Sequence, residues 1–242
     1  MTLEQIRIIL VEPAGPLNVG AVARVMKNMG LSQLVLVNPQ CDPWGEEARR
    51  MAVHGDDVLA QARQVESLPE ALQGCYHAVA TTGREGTVPL PLETPRVVFP
   101  WLRAQNAPSA VIFGREDSGL TNQELHYAQR CVSIPANPVY PSLNLAQAVA
   151  VCAYELYQTT PEDLPPALRP TTAPLETLEG YYQHLEQVLL QIGYLYPHTA
   201  GAKMEKFRRL YGRADLTPQE VALLRGILRQ MTWFVQQAKK EV

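Results

Sequence analysis

Ala110-Val111-Ile112-Phe113-Gly114-Arg115-Glu116-Asp117-Ser118-Gly119-Leu120 is the stretch on which the reading of the fold turns. An apolar run too short for a helix gives way at once to a glycine and three charged residues. In open α/β sheets, ligands bind beyond the carboxyl ends of the strands, so charges placed there need a functional or a strong structural reason. Gly114 would let a ligand approach the backbone, and Glu116 would accept hydrogen bonds from a cation or a hydroxyl. Capping of a helix from Thr121 to Gln129 is the plainer alternative.

Outward from that stretch, Ile6 to about Tyr157 alternates β-branched runs with helical stretches, which predicts an α/β fold with a parallel sheet flanked by helices. Strands are expected at Ile6–Val11, Leu34–Val37, His77–Thr81, Ala110–Phe113 and Cys131–Ile134. Helices are expected around Ala21–Met29, Glu46–Val53, Pro69–Leu72, Val98–Ala104 and Asn122–Gln129. Residues 1–160 are thus read as one domain. Pro161, Pro165, Pro166, Pro170 and Pro174 make residues 161–174 a proline-rich linker that helix does not cross. Residues 175–242 form a small all-helical extension. Leu175, Leu178, Tyr182, Leu185, Leu189 and Ile192 recur at helical spacing, and Thr217-Pro218-Gln219-Glu220 carries a second helix start.

Composition bounds the chemistry less tightly. With 242 residues, 46% of them hydrophobic, the chain has enough to bury a core. Its formal net charge of -3 gives no global basic signature, so a nucleic-acid surface would be a local patch. Lys203, Lys206, Arg208, Arg209 and Arg213 supply one in the extension, although such a run equally suits a solvated face. Cys41, Cys75, Cys131 and Cys152 are scattered, without metal-ligand spacing, so reduced thiols and no metal are expected. No apolar stretch approaches the roughly 18 residues of a membrane span, and the cytoplasm is the expected compartment.

Two further segments flank strand ends. Glu12-Pro13-Ala14-Gly15-Pro16-Leu17-Asn18-Val19-Gly20-Ala21-Val22-Ala23-Arg24 leads from a strand into a helix, a generic anion site, with Asn18 and Arg24 near the helix start. It lacks both the dinucleotide and the P-loop glycine fingerprints, and Gly20 would equally permit tight packing. Ile134-Pro135-Ala136-Asn137-Pro138-Val139-Tyr140-Pro141-Ser142-Leu143-Asn144-Leu145 is a proline-stiffened loop, after which Ser142 or Asn144 opens a helix apolar almost all round. Such a helix is covered on more than one side, by the sheet and by a second subunit or by the interior alone.

Taken together and in order, Asn18/Gly20/Arg24, Phe113 to Leu120, and Ile134-Pro135 with Ser142-Leu143-Asn144 resemble the three motifs of the SPOUT class of RNA ribose methyltransferases. The bacterial TrmJ-like tRNA (cytidine/uridine-2'-O-)methyltransferases, with their helical tail, are the similar subgroup, and Tyr182, His184, Leu185 and Glu186 fit that tail. The resemblance implies a trefoil knot in the C-terminal part of the catalytic domain, a homodimer, and S-adenosylmethionine as methyl donor. It implies a ribose 2'-hydroxyl of tRNA, at nucleotide 32 of the anticodon loop, as acceptor. The implied cofactor pocket is Thr81, Thr82, Gly83, Gly114, Ile134, Ser142, Leu143, Asn144 and Leu145. Arg24 is expected to clamp a substrate phosphate, since a guanidinium stays protonated and is no base. Ser142, Asn144 and Asn18 are expected as hydrogen-bonding partners, and Glu116 as orienting Arg24 or the substrate. Methylation of rRNA ribose or of a base by the same fold, and a non-catalytic RNA-binding protein, are the alternatives.

Overall fold

The computed structural model describes residues 2–83, 91–105, 107–159 and 172–238. The chain divides into two compact units, Met1–Ala167 and Leu168–Val242. Residues 161–171, most of the stretch read as a linker, lie outside the described residues.

The first unit runs β1 (Ile6–Val11), α1 (Pro16–Asn28), β2 (Gln33–Val37), α2 (Glu46–Ala52), α3 (Asp56–Ala60), β3 (Arg63–Val65), α4 (Leu68–Ala71) and β4 (His77–Thr81). It continues with β5 (Leu92–Glu93), α5 (Pro95–Ala104), β6 (Ser109–Phe113), α6 (Asn122–Leu125), β7 (Arg130–Val132) and α7 (Leu145–Gln158). All seven strands pair in parallel in the order β3-β2-β1-β6-β4-β7-β5. Because helices cover both faces, the central strands are continuous apolar runs: every residue of β6 is buried, and all of β1 but Arg7. Each fully buried Ile, Leu or Phe there stabilises the fold by roughly 1.5–3 kcal/mol.

The order of insertion matters. β1, β2 and β3 are laid outward to one side, after which β6 enters between β1 and β4, and β7 between β4 and β5. Both strands enter in parallel, so each insertion needs a crossover connection over a face of the sheet.

The five expected strands are present, and two more border the sheet. β3 and β5 hold three and two residues, too short to register as apolar runs. Helix α1 starts at Pro16 rather than Ala21, because Pro16 occupies the first helical turn, where its missing N–H costs nothing. The helix expected to reach Gln129 is a single turn ending at Leu125. Helix α1 is wedged from outside: a Cβ on Gly20 would lie 2.1 Å from the Ala48 carbonyl oxygen, and one on Gly55 2.7 Å from that of Ala23. Gly20 therefore serves close helix packing.

The second unit consists of α8 (Leu175–Gln191), α9 (Ala200–Gly212) and α10 (Pro218–Ala238). Leu178, Tyr181, Leu185, Val188, Met204, Val221 and Leu228 are among its core residues. Sequence periodicity showed α8 and the start of α10, where Thr217 Oγ1 accepts from the Glu220 amide and Glu220 accepts from the Thr217 amide. It missed α9, whose polar, basic sequence buries only Ala200 and Met204.

His77 opens β4 almost wholly buried, its ring edge-on to Trp101 at 5.6 Å. Burial pushes its imidazole down from 6.5 to about 4. The unfolded chain thus takes up a proton at a higher pH than the folded one. The stability that neutral His77 permits is complete above pH 6.5 and is lost as pH falls toward about 4. Chemical denaturation across that window should show wild-type stability falling by a few kcal/mol, and His77→Gln should flatten this part of the profile. Identical slopes in the two proteins would place the acid-sensitive group elsewhere.

Candidate active site

The sheet register sets the site. Thr81 aligns with Val132 across β4 and β7, and β4 pairs with β6 so that Ala80 faces Ile112. Thr82, Gly114 and Ser133 therefore stand just beyond the carboxyl ends of three neighbouring strands. On the other side of β6, Leu10 faces Phe113, which brings Glu12 level with Arg115.

Arg115 uses that alignment. Its Nε donates to Glu12 at 2.8 Å, and its terminal nitrogens donate to both Glu124 oxygens at 3.0 Å. The two carboxylates hold the guanidinium above its ordinary value, the Glu12 hydrogen bond foremost. Arg115 in turn holds Glu12 below its own. Glu12 carries a left-handed φ of 47°, which this ion pair and the bond from its amide to the Val37 carbonyl hold in place. Glu124 also closes a capping box with Thr121. These residues were not among the sequence candidates. Thr121-Asn122-Gln123-Glu124 bears the capping-box spacing and was the available signal.

Glu116 faces the other way. Its carboxylate accepts from the Ala14 amide at 3.0 Å, the Gly15 amide at 3.1 Å and the Asn18 side-chain nitrogen at 3.1 Å. Burial works to raise its pKa, but these bonds, the Ala14 amide first, leave it below the ordinary value. A carboxylate so held is a spent acceptor, ill suited to proton abstraction. Because Asn18 gives its NH2 to Glu116, its oxygen is left to accept from Asn144 Nδ2 at 2.9 Å. Asn144, its own NH2 used in that way, caps α7 with its oxygen on the Ala146 and Gln147 amides at 2.9 and 3.3 Å. One polar chain, Glu116–Asn18–Asn144, thus ties together all three motif segments.

The structure brings Asn18, Glu116 and Asn144 together, and leaves Arg24 and Ser142 unattached. Both are exposed, and among the described residues no hydrogen bond joins either to the chain or Arg24 to Glu116. Of the expected pocket, Thr81 and Thr82 are bonded to the neighbouring strands through the Ile112 and Val132 carbonyls. Among the described residues, a Cβ on Gly83 would meet nothing within 4 Å. A Cβ on Gly114 would lie 2.2 Å from the Gly119 backbone, so this glycine makes room for the loop's own return. Ile134 and Leu143 are half-buried at the rim, while the Leu145 side chain lies in the core and only its backbone faces the loop. Among the described residues no group of His, Cys, Asp or Glu could hold a metal ion.

This sheet, with its interleaved strands, is the fold of the SpoU methyltransferases. The chain is a member of the SpoU rRNA Methylase family, whose model matches residues 5–154, and residues 176–241 match the tRNA methyltransferase TrmJ, C-terminal domain. It is 47% identical over 232 residues to a tRNA (cytidine/uridine-2'-O-)-methyltransferase TrmJ of Pectobacterium atrosepticum, covering 93% of this chain and 96% of that one. It is 42% identical to a tRNA (cytidine/uridine/adenosine-2'-O-)-methyltransferase TrmJ of Pseudomonas aeruginosa, with 94% of each chain covered. The crystal structure of TrmJ from Z. mobilis ZM4 superposes with a TM-score of 0.84 at 35% identity, covering 93% of this chain and 98% of that one.

If the polar chain holds the three segments, Asn18→Asp should break it by setting a second carboxylate against Glu116. The repulsion raises the folded-state pKa of the pair, so the penalty is full at neutral pH and recedes as acid protonates one member. Thermal melts should show a loss of about 1–3 kcal/mol at pH 7, shrinking below about pH 5. A variant as stable as wild type at pH 7 would remove the chain from the fold's support.

Proposed function

We propose that this protein transfers a methyl group from S-adenosylmethionine to the ribose 2'-hydroxyl of tRNA nucleotide 32, with cytidine and uridine accepted. The observation that carries the reading is the Glu116–Asn18–Asn144 chain, which gathers the three motif segments that follow β1, β6 and β7. Family membership and the TrmJ names of the similar chains support tRNA over rRNA, and ribose over base.

Thr81 to Gly83, Gly114, Ile134 and residues 142–145 would hold S-adenosylmethionine, which supplies an already activated sulfonium methyl. The protein's task is then to aim the hydroxyl in line and to exclude water. Arg24, exposed and without an acceptor among the described residues, grips the substrate phosphate through its two-pronged guanidinium and so sets the ribose. Ser142 hydrogen-bonds the substrate. Asn18, Asn144 and Glu116 are positioning residues: their polar atoms are engaged with one another and with helix starts, and they hold the wall on which Ser142 stands. Glu116, its carboxylate saturated, does not take the proton.

A homodimer completes this reading. Helix α7 buries Leu145, Val149, Cys152, Ala153 and Leu156 against the core, yet Tyr154 and Tyr157 on its outer side remain about half exposed. A second copy would cover that side. Sedimentation at micromolar concentration should give a dimer for wild type, and Ala150→Glu should give inactive monomer or aggregate; a monomeric wild type would contradict the assembly.

Mass spectrometry of tRNA treated with the enzyme and S-adenosylmethionine should find a 2'-O-methylated nucleoside, and ribonuclease fragments should place it at nucleotide 32. In single-turnover assays with saturating cofactor, Arg24→Lys should lose much of the rate and Arg24→Ala more, with melting and cofactor binding near wild type. Full activity in Arg24→Ala would take this residue out of the mechanism, and a mark on a base would take the ribose out of it.

A further inference from the structure

The basic residues of α9 are in part committed to structure. Arg208 makes a two-pronged ion pair with Glu179, at 2.5 and 2.9 Å, and its guanidinium lies 4.6 Å over the Tyr182 ring. Lys203 is tied to the Tyr194 carbonyl and lies over its ring. Further positive charge of the second unit stands on another face, between α8 and α10.

There Arg225 and Arg229 stand one turn apart on α10. Among the described residues no carboxylate pairs with either. A Cβ on Gly180 of α8 would lie 3.7 Å from an Arg225 terminal nitrogen, so the guanidinium rests against α8 where a side chain is lacking. One turn further along α8 is His184, whose buried Nδ1 has no hydrogen-bond partner among the described residues. Burial first, and then the charges of Arg225 and Arg229, hold its ring below the ordinary value, which sets both guanidinium charges beside it. Another turn along α10 from Arg229, Trp233 is half exposed. Two unpaired guanidinium forks are donors in search of an anion, and an exposed indole at the same helical spacing is a stacking platform.

We propose that Arg225, Arg229 and Trp233 form an RNA-binding strip beside His184, in which the arginines take backbone phosphates and the tryptophan stacks on an unpaired base. The inference rests on the reading of tRNA as substrate and assigns to this face a contact away from the reacting ribose. The combination of phosphate donors with a flat π surface suits RNA, whose unpaired bases stack on aromatic side chains while its backbone takes the arginines.

Equilibrium binding of full-length protein to tRNA, measured across a salt series, tests it. The double variant Arg225→Gln/Arg229→Gln should bind at least about tenfold more weakly near 0.1 M salt, with a log–log salt slope shallower by about two. Arg229→Gln alone, at an exposed position, should lower the slope by about one without disturbing the fold. Trp233→Ala should weaken binding roughly five- to hundredfold and leave the slope unchanged. Wild-type affinity and slope in both arginine variants would overturn the strip, even where the wild-type protein methylates tRNA. A wild type that neither binds nor methylates tRNA would instead overturn the functional reading on which the strip rests.

Discussion

The Glu116 carboxylate is the point on which the catalytic unit depends. It sits at the end of β6 and receives two backbone amides and one side-chain amide from the segment that opens α1. An ionised acceptor at a helix start satisfies amides that the helix leaves unpaired and favours the positive end of its dipole. That single placement dictates the orientation of Asn18, which dictates that of Asn144, which caps α7. Segments about a hundred residues apart in sequence are fixed in register by amide groups that have only one way to face. Arg115, one residue earlier, does the same on the opposite side by joining β1 to α6 through Glu12 and Glu124.

This arrangement separates two kinds of motif residue. Asn18, Glu116 and Asn144 look inward and hold one another, while Arg24 and Ser142 project outward without partners among the described residues. Preorganised polar supports combined with unengaged donors suit a reaction in which the methyl group is already activated and positioning is the remaining requirement. The glycines divide in the same way. Gly20 and Gly114 make room for the protein's own backbone, whereas a Cβ on Gly83 would meet nothing within 4 Å among the described residues.

Much of this was legible in the sequence. The parallel sheet followed from β-branched runs alternating with helical stretches, Thr217 stood out as a helix start, and the start of α7 was narrowed to Ser142 or Asn144, of which Asn144 is the cap. The three motif segments were visible as charged or amide residues at strand ends. The insertion of β6 and β7 between earlier strands was not visible, because periodicity reports which segments are strands and says nothing of which gap each one fills. β3 and β5 were too short to register, and α9 too polar. The roles of Arg115 and Gly114 were hidden for a different reason: an ion pair across 103 positions and a backbone-to-backbone approach leave no local pattern. In the second unit the density of Lys and Arg drew attention to α9, where Arg208 proves to be paired.

The central claim is that the three segments act as one unit through the Glu116–Asn18–Asn144 chain. A double-mutant cycle with Glu116→Gln and Asn144→Ala, read in single-turnover methyl transfer, tests it most directly, since these two residues touch only through Asn18. The account predicts strong non-additivity, with a coupling of about 1 kcal/mol or more. Effects that add to within about 0.5 kcal/mol would show the two ends acting independently and would contradict it.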